Sequence, residues 1–89
     1  MQQQNFEICN NLGLHVRASS KFVDEACKFV SEMKIVTKES EADLKRIFQV
    51  MSLGLKYKDK FELVIDGADE VEAMQAMRLL IESGFGENT

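Results

Sequence analysis

The chain has no proline and no tryptophan, a single histidine, two cysteines and five glycines among its 89 residues. Two thiols make no disulfide framework, and with one histidine they cannot supply the four ligands of a structural zinc site. A reduced compartment is the default expectation. No apolar run approaches the ~18 residues needed to cross a bilayer, and the polar start Met1–Asn5 lacks the apolar core of a signal peptide. The expected location is therefore cytoplasmic. Basic charge is also short: the formal net charge is −4, and the last third holds Arg78 alone against seven acids. Nucleic-acid binding needs a dense basic footprint against phosphate charge, so that class is excluded, and any basic patch lies in the first two thirds.

What remains is an ordinary globular composition, 45% hydrophobic and 29% charged. Eighty-nine residues make one domain's worth of chain, so residues 1–89 are expected to form a single domain with a modest core. With no proline, the glycines punctuate the chain, at Gly13, Gly54, Gly67, Gly84 and Gly86.

Phe6 and Ile8, with Glu7 between them, predict a strand over 3–9 with one apolar face, then a turn at Asn10-Asn11-Leu12-Gly13. From about His15 to Val30, Val16, Ser19, Phe22, Val23, Ala26, Cys27, Phe29 and Val30 recur at three- and four-residue spacing, the period of an amphipathic helix. Cys27 falls on its apolar face and Cys9 shares the Glu7 side of the first strand; both read as structural. Met33, Ile35 and Val36 predict a second strand, and Ala42–Leu44 a short third one. Asp43 is expected to cap a helix over about Leu44–Leu53, with Ile47, Val50 and Met51 inward and Gly54 ending it. Phe61, Leu63 and Ile65 alternate as a fourth strand; Asp69, Glu70 and Glu72 then open a helix whose Val71, Met74, Met77, Leu80 and Ile81 run to Gly84. The order is βαββαβα, which fits two layers, all helices on one face of the sheet and the other face toward water.

His15 stands where the first loop meets the first helix, two residues before Arg17. A helix start offers unpaired backbone N–H groups and partial positive charge, so an anion held there needs little further protein. A neutral imidazole nitrogen is also a nucleophile toward phosphorus. His15 could therefore accept a phosphoryl group whose oxygens meet the amides of Val16 and Arg17 and the Arg17 guanidinium. The alternative is that His15 is only an N-cap or a surface residue. Other catalytic classes fare worse: no HExxH, P-loop or GxSxG pattern is present, and no acid is placed to orient His15 toward Ser19 or Ser20.

The segment Asn11-Leu12-Gly13-Leu14-His15-Val16-Arg17-Ala18, followed by Phe22-Val23, resembles the active-site segment of the HPr family, the histidine-containing phosphocarriers of the phosphoenolpyruvate-dependent sugar phosphotransferase system. Ile47-Phe48-Gln49-Val50-Met51-Ser52-Leu53-Gly54-Leu55 and Gly67-Ala68-Asp69-Glu70 look like further landmarks of that family, so the resemblance runs from Phe6 to about Gly86 without gaps. It implies an open-faced βαββαβα sandwich of the α+β class, a four-stranded antiparallel sheet with three helices on one face. It also implies that His15 is phosphorylated on Nδ1 by Enzyme I, with Arg17 as electrostatic partner, and passes the group to a sugar-specific acceptor domain of the EIIA type. No cofactor or metal is implied. Partners would dock on an apolar contact of Phe48 and Met51 ringed by Lys45, Arg46 and Gln49. Phe48 lies off the Ile47/Val50 stripe, which favours exposure; Met51 could equally belong to the core. A small acidic domain with one such patch is expected to be monomeric.

Two departures from the family pattern stand out. Most members have proline at the place of Ala18, which gives a softer first turn and one more N–H near the anion site. Many also carry a kinase-regulated serine at the place of Arg46, which cannot take that phosphate, and Ser52 aligns with a different position. A regulatory, nitrogen-branch-like member, or a docking module that never carries phosphate, are the alternatives these departures keep open.

Overall fold

Alternation writes the sheet. Phe6, Met33, Ile35, Ala42, Phe61, Leu63 and Ile65 are buried on one side of their strands, mostly between exposed or half-exposed polar neighbours; Val64, buried on the other side of its strand between Leu63 and Ile65, is the exception. These inward side chains share one core. The computed structural model describes residues 1–86. Their order is β1 (Gln2–Glu7), α1 (Val16–Ala26), β2 (Glu32–Val36), β3 (Glu41–Asp43), α2 (Ile47–Ser52), β4 (Lys60–Asp66) and α3 (Glu70–Glu82). The sheet runs β1-β4-β2-β3 and every pairing is antiparallel. Register sets the core: Phe6 opposes Phe61 across β1 and β4, and Ile35 opposes Leu63 across β2 and β4. The fold is the open-faced βαββαβα sandwich, with the polar face of Asn5, Lys34, Glu41 and Lys60 left to solvent.

The helices cover the apolar face unequally. The α1 helix buries Ala18, Ser19, Phe22 and Ala26, and α3 buries Ala73, Met74, Met77 and Ile81, whereas the short α2 buries Val50 alone. Phe22 sits at the centre, its ring 6.3 Å from that of Phe61 and 5.1 Å from that of Phe85. Phe85 reaches the core because the chain turns at Gly84, just past the Ser83 cap of α3: the Phe85 N–H donates to the Leu80 carbonyl, and the left-handed glycine turns the next side chain back inward.

Three expectations from the sequence need correction. The first helix stops at Ala26, not Val30, and Cys27 is exposed rather than part of the apolar face. The physical reason is Asp69, far away in the chain: its carboxylate accepts the Val30 N–H at 2.9 Å, the Ser31 N–H at 3.0 Å and the Ser31 hydroxyl, which draws these residues out of helix. Those bonds, the Ser31 hydroxyl foremost, hold the Asp69 carboxyl below its ordinary value. The second helix begins at Ile47 with Arg46 as N-cap; Asp43 does not cap it but accepts the Lys45 N–H in the preceding turn. Finally, Val16, Val30 and Val71, read as inward, are exposed.

Candidate functional site

The approach to α1 is fixed by backbone contacts ahead of His15. Gly13 adopts φ +68°, and a Cβ there would lie 2.7 Å from the Leu55 carbonyl oxygen and 2.8 Å from the Lys56 Cα. Only glycine permits both the left-handed turn and this close approach. The buried Asn10 donates its side-chain amide to the Gly13 carbonyl at 2.8 Å and accepts the Gly13 N–H on its own carbonyl at 3.1 Å. Leu14 is buried, and its N–H donates to the Leu55 carbonyl at 3.0 Å, tying the segment before α1 to the segment after α2.

His15 follows as the N-cap of α1, extended at φ −75° and ψ −178° and half-buried. Its Nδ1 accepts the Arg17 N–H at 3.2 Å. An amide N–H can only donate, so Nδ1 carries the lone pair and Nε2 the proton. The lone pair therefore faces the helix start. The helical ladder opens with the Ser19 N–H on the His15 carbonyl at 2.8 Å, so the amides of Val16, Arg17 and Ala18 have no intrahelical acceptor. The first turn of α1 also contains no acidic residue, unlike that of α3, which carries Glu70 and Glu72. The N-cap reading of His15 and the anion-site reading thus fit one geometry: a ring nitrogen turned toward first-turn amides, which are of the kind that can hold an anion. Arg17 is exposed on this first turn.

The five residues expected to meet partners are placed differently from one another. Phe48 is 84% exposed on α2, which packs against α1. Arg46 is exposed, with Asp43 at 3.6 Å. Met51 is half-buried. Lys45 donates to the Phe29 carbonyl at 2.7 Å, and the Gln49 side-chain oxygen accepts the Asp43 N–H at 2.9 Å, so both also brace the fold. Two apolar side chains near His15 in sequence were not expected at the surface: Leu12 is 65% and Val16 60% exposed. The capping position was the available signal for Val16, because a residue at the first helical position need not follow the inward stripe. Among the described residues, no group of three or more His, Cys, Asp or Glu gathers as a metal site, and no helix is long and apolar enough to cross a membrane.

A family model described as "PTS HPr component phosphorylation site" matches residues 2–83. The chain belongs to the HPr family. It is 45% identical over 87 residues to the phosphocarrier protein HPr of Neisseria meningitidis, covering 98% of each chain. Among solved structures, HPr-C-His from Thermoanaerobacter tengcongensis superposes with a TM-score of 0.95 at 38% identity, each chain fully covered. An HPr dimer from the same organism aligns at a TM-score of 0.75 and 39% identity, covering 98% of this chain. The chain is thus a member of the HPr phosphocarrier family, and the superposition on HPr-C-His spans its whole length.

Proposed function

We propose that this chain carries a phosphoryl group on Nδ1 of His15, taking it from phosphorylated Enzyme I and passing it to an acceptor domain of the EIIA type in sugar uptake and phosphorylation. The observation that carries the reading is the Nδ1 lone pair turned toward the Arg17 N–H at the start of α1. In transfer, that lone pair attacks phosphorus, the bond from phosphorus to the donor breaks, and its electron pair returns to the donor. The new phosphoryl oxygens take over the amide that Nδ1 releases, together with that of Val16, and the Arg17 guanidinium screens their charge. The same contacts must not be too strong, since the group has to leave again. No cofactor or metal takes part.

Docking uses exposed Phe48 with Arg46 and the partly engaged Lys45, Gln49 and Met51, joined by Leu12 and Val16 near the acceptor nitrogen; this cationic, apolar surface fits partners with acidic rims. The reading places the protein in the cytoplasm and as a monomer in transfer, which light scattering at working concentration checks. The test of function is incubation with phosphoenolpyruvate, magnesium and purified Enzyme I, followed by intact mass before and after acid. A single acid-labile phosphoryl group on the wild type supports the carrier. No label, with Enzyme I active on another HPr, turns the reading to a docking module that holds the fold without the transfer.

A further inference from the structure

By spacing, Ser19 belongs to the apolar face of the first helix. In the structure Ser19 is fully buried and holds both carbonyls next to the His15 Cα: its hydroxyl donates to the Leu14 carbonyl at 3.1 Å, and its N–H to the His15 carbonyl at 2.8 Å. The Leu14 N–H is held in turn by the Leu55 carbonyl at 3.0 Å. The peptide units on either side of His15 are thus pinned, one of them by a side chain. Any helix supplies the N–H bond through its backbone; the hydroxyl bond to Leu14 depends on serine.

We propose that Ser19 is a positioning residue for phosphoryl transfer, its hydroxyl fixing the Leu14–His15 peptide so that the imidazole presents Nδ1 to the first-turn amides of α1. The need for such a clamp follows from the local chain. His15 is extended between a left-handed Gly13 and the helix, Ala18 leaves the first turn free of the φ constraint proline would impose, and the ring reaches Arg17 through a long bond of 3.2 Å. A peptide plane free to rotate at Leu14 would swing the ring off the amides and let either nitrogen carry the proton. With the hydroxyl in place, the Nε2–H form is selected before the phosphoryl donor arrives, which is the preorganisation a transfer step rewards.

The kinetic part rests on the carrier reading above; the ring geometry does not. The experiment uses the full chain, wild type beside Ser19→Ala, with three readouts: the ¹⁵N shifts of the His15 ring in its neutral form, the rate of phosphorylation by Enzyme I and phosphoenolpyruvate, and the urea midpoint. Wild type is expected to show unprotonated Nδ1 and protonated Nε2. In Ser19→Ala the two ¹⁵N signals are expected to converge toward a tautomer mixture, and phosphorylation to slow about three- to tenfold, the loss of one hydrogen bond's worth of alignment. The urea midpoint should move little, because alanine is the better helix former and offsets the lost bond. A variant with the wild-type ring signature overturns the clamp; a changed ring with an unchanged rate overturns its part in transfer. Should the wild type itself take no phosphoryl group, the carrier reading fails, and the ring signature alone decides the clamp.

Discussion

Gly13→Ala separates the geometry of the His15 approach from ordinary glycine chemistry, because Gly54 provides a control with nearly the same backbone. Both residues are left-handed, at φ +68° and +64°, so alanine costs about 1–2 kcal/mol at either from backbone sterics. Both substitutions also share the gain of about 0.4–1 kcal/mol from a less flexible unfolded chain. They differ in what the new methyl meets. At Gly54 nothing lies within 4 Å, whereas at Gly13 it would press on the Leu55 carbonyl oxygen at 2.7 Å and the Lys56 Cα at 2.8 Å. Both are backbone atoms of a segment hydrogen-bonded to Leu14, so they cannot move aside as a side-chain tip would. Such crowding costs typically about 1–3 kcal/mol. Gly13→Ala should therefore be less stable than Gly54→Ala by about 1–3 kcal/mol, which at a urea slope of about 1–1.5 kcal/mol per molar separates their midpoints by about 0.7–3 M. Phosphorylation should follow the same division: slowed in Gly13→Ala, where the Leu14–Leu55 bond is forced apart, and unchanged in Gly54→Ala. Equal midpoints for the two variants would refute the close approach and the positioning of His15 built on it.

Phe22→Ala removes the ring between Phe61 and Phe85 at a fully buried site and should cost about 3–5 kcal/mol in urea or thermal unfolding; a loss under 1 kcal/mol would contradict the core. Phe48→Ala should leave stability within about 0.5 kcal/mol, since the ring is exposed, while raising the KM for Enzyme I several-fold; an unchanged KM would remove Phe48 from the docking surface. Asp69 has a folded-state pKa held below its ordinary 3.8, so its bonds to Val30 and Ser31 contribute stability above that pH, and the contribution is lost as pH falls through the folded value. The stability gap between wild type and Asp69→Ala, followed by urea midpoints from pH 6 down to pH 2, should narrow below about pH 4; a gap independent of pH would refute the carboxylate's role.

Which features were legible in the sequence follows from the range of the interactions that set them. Phe6, Ile35, Leu63 and Ile65 alternate locally, and Met74, Met77 and Ile81 repeat locally, so the strands and the last helix declare themselves. The end of α1 does not, because Phe29 and Val30 continue the helical period and the carboxylate that draws the Val30 and Ser31 amides away lies 39 residues from Val30. The start of α2 fails for a related reason: Asp43 has the chemistry of a cap but spends it on Lys45, one turn early. Phe85 sits beyond the helix period and enters the core through a left-handed turn that no spacing rule anticipates. At the site, the place of His15 at a helix start, with Arg17 two residues on, was legible from Gly13 and the onset of the period, and the resemblance supplied Nδ1. The bracing by Asn10, Leu14, Ser19 and Leu55 was not, since it joins backbone groups that composition cannot pair. Nor could spacing separate Lys45 and Gln49, which hold the Phe29 carbonyl and the Asp43 amide, from a purely cationic rim.

The central claim is that Nδ1 of His15 accepts the phosphoryl group at the start of α1. The direct test is to phosphorylate uniformly ¹⁵N-labelled protein with Enzyme I and phosphoenolpyruvate and to read the phosphorus–nitrogen coupling in the imidazole of the trapped phosphoprotein, with His15→Ala alongside. The account predicts one phosphoryl group, coupled to Nδ1, with the amide signals of Val16 and Arg17 displaced, and no label on His15→Ala. Coupling to Nε2, or a label that survives in His15→Ala, would contradict it.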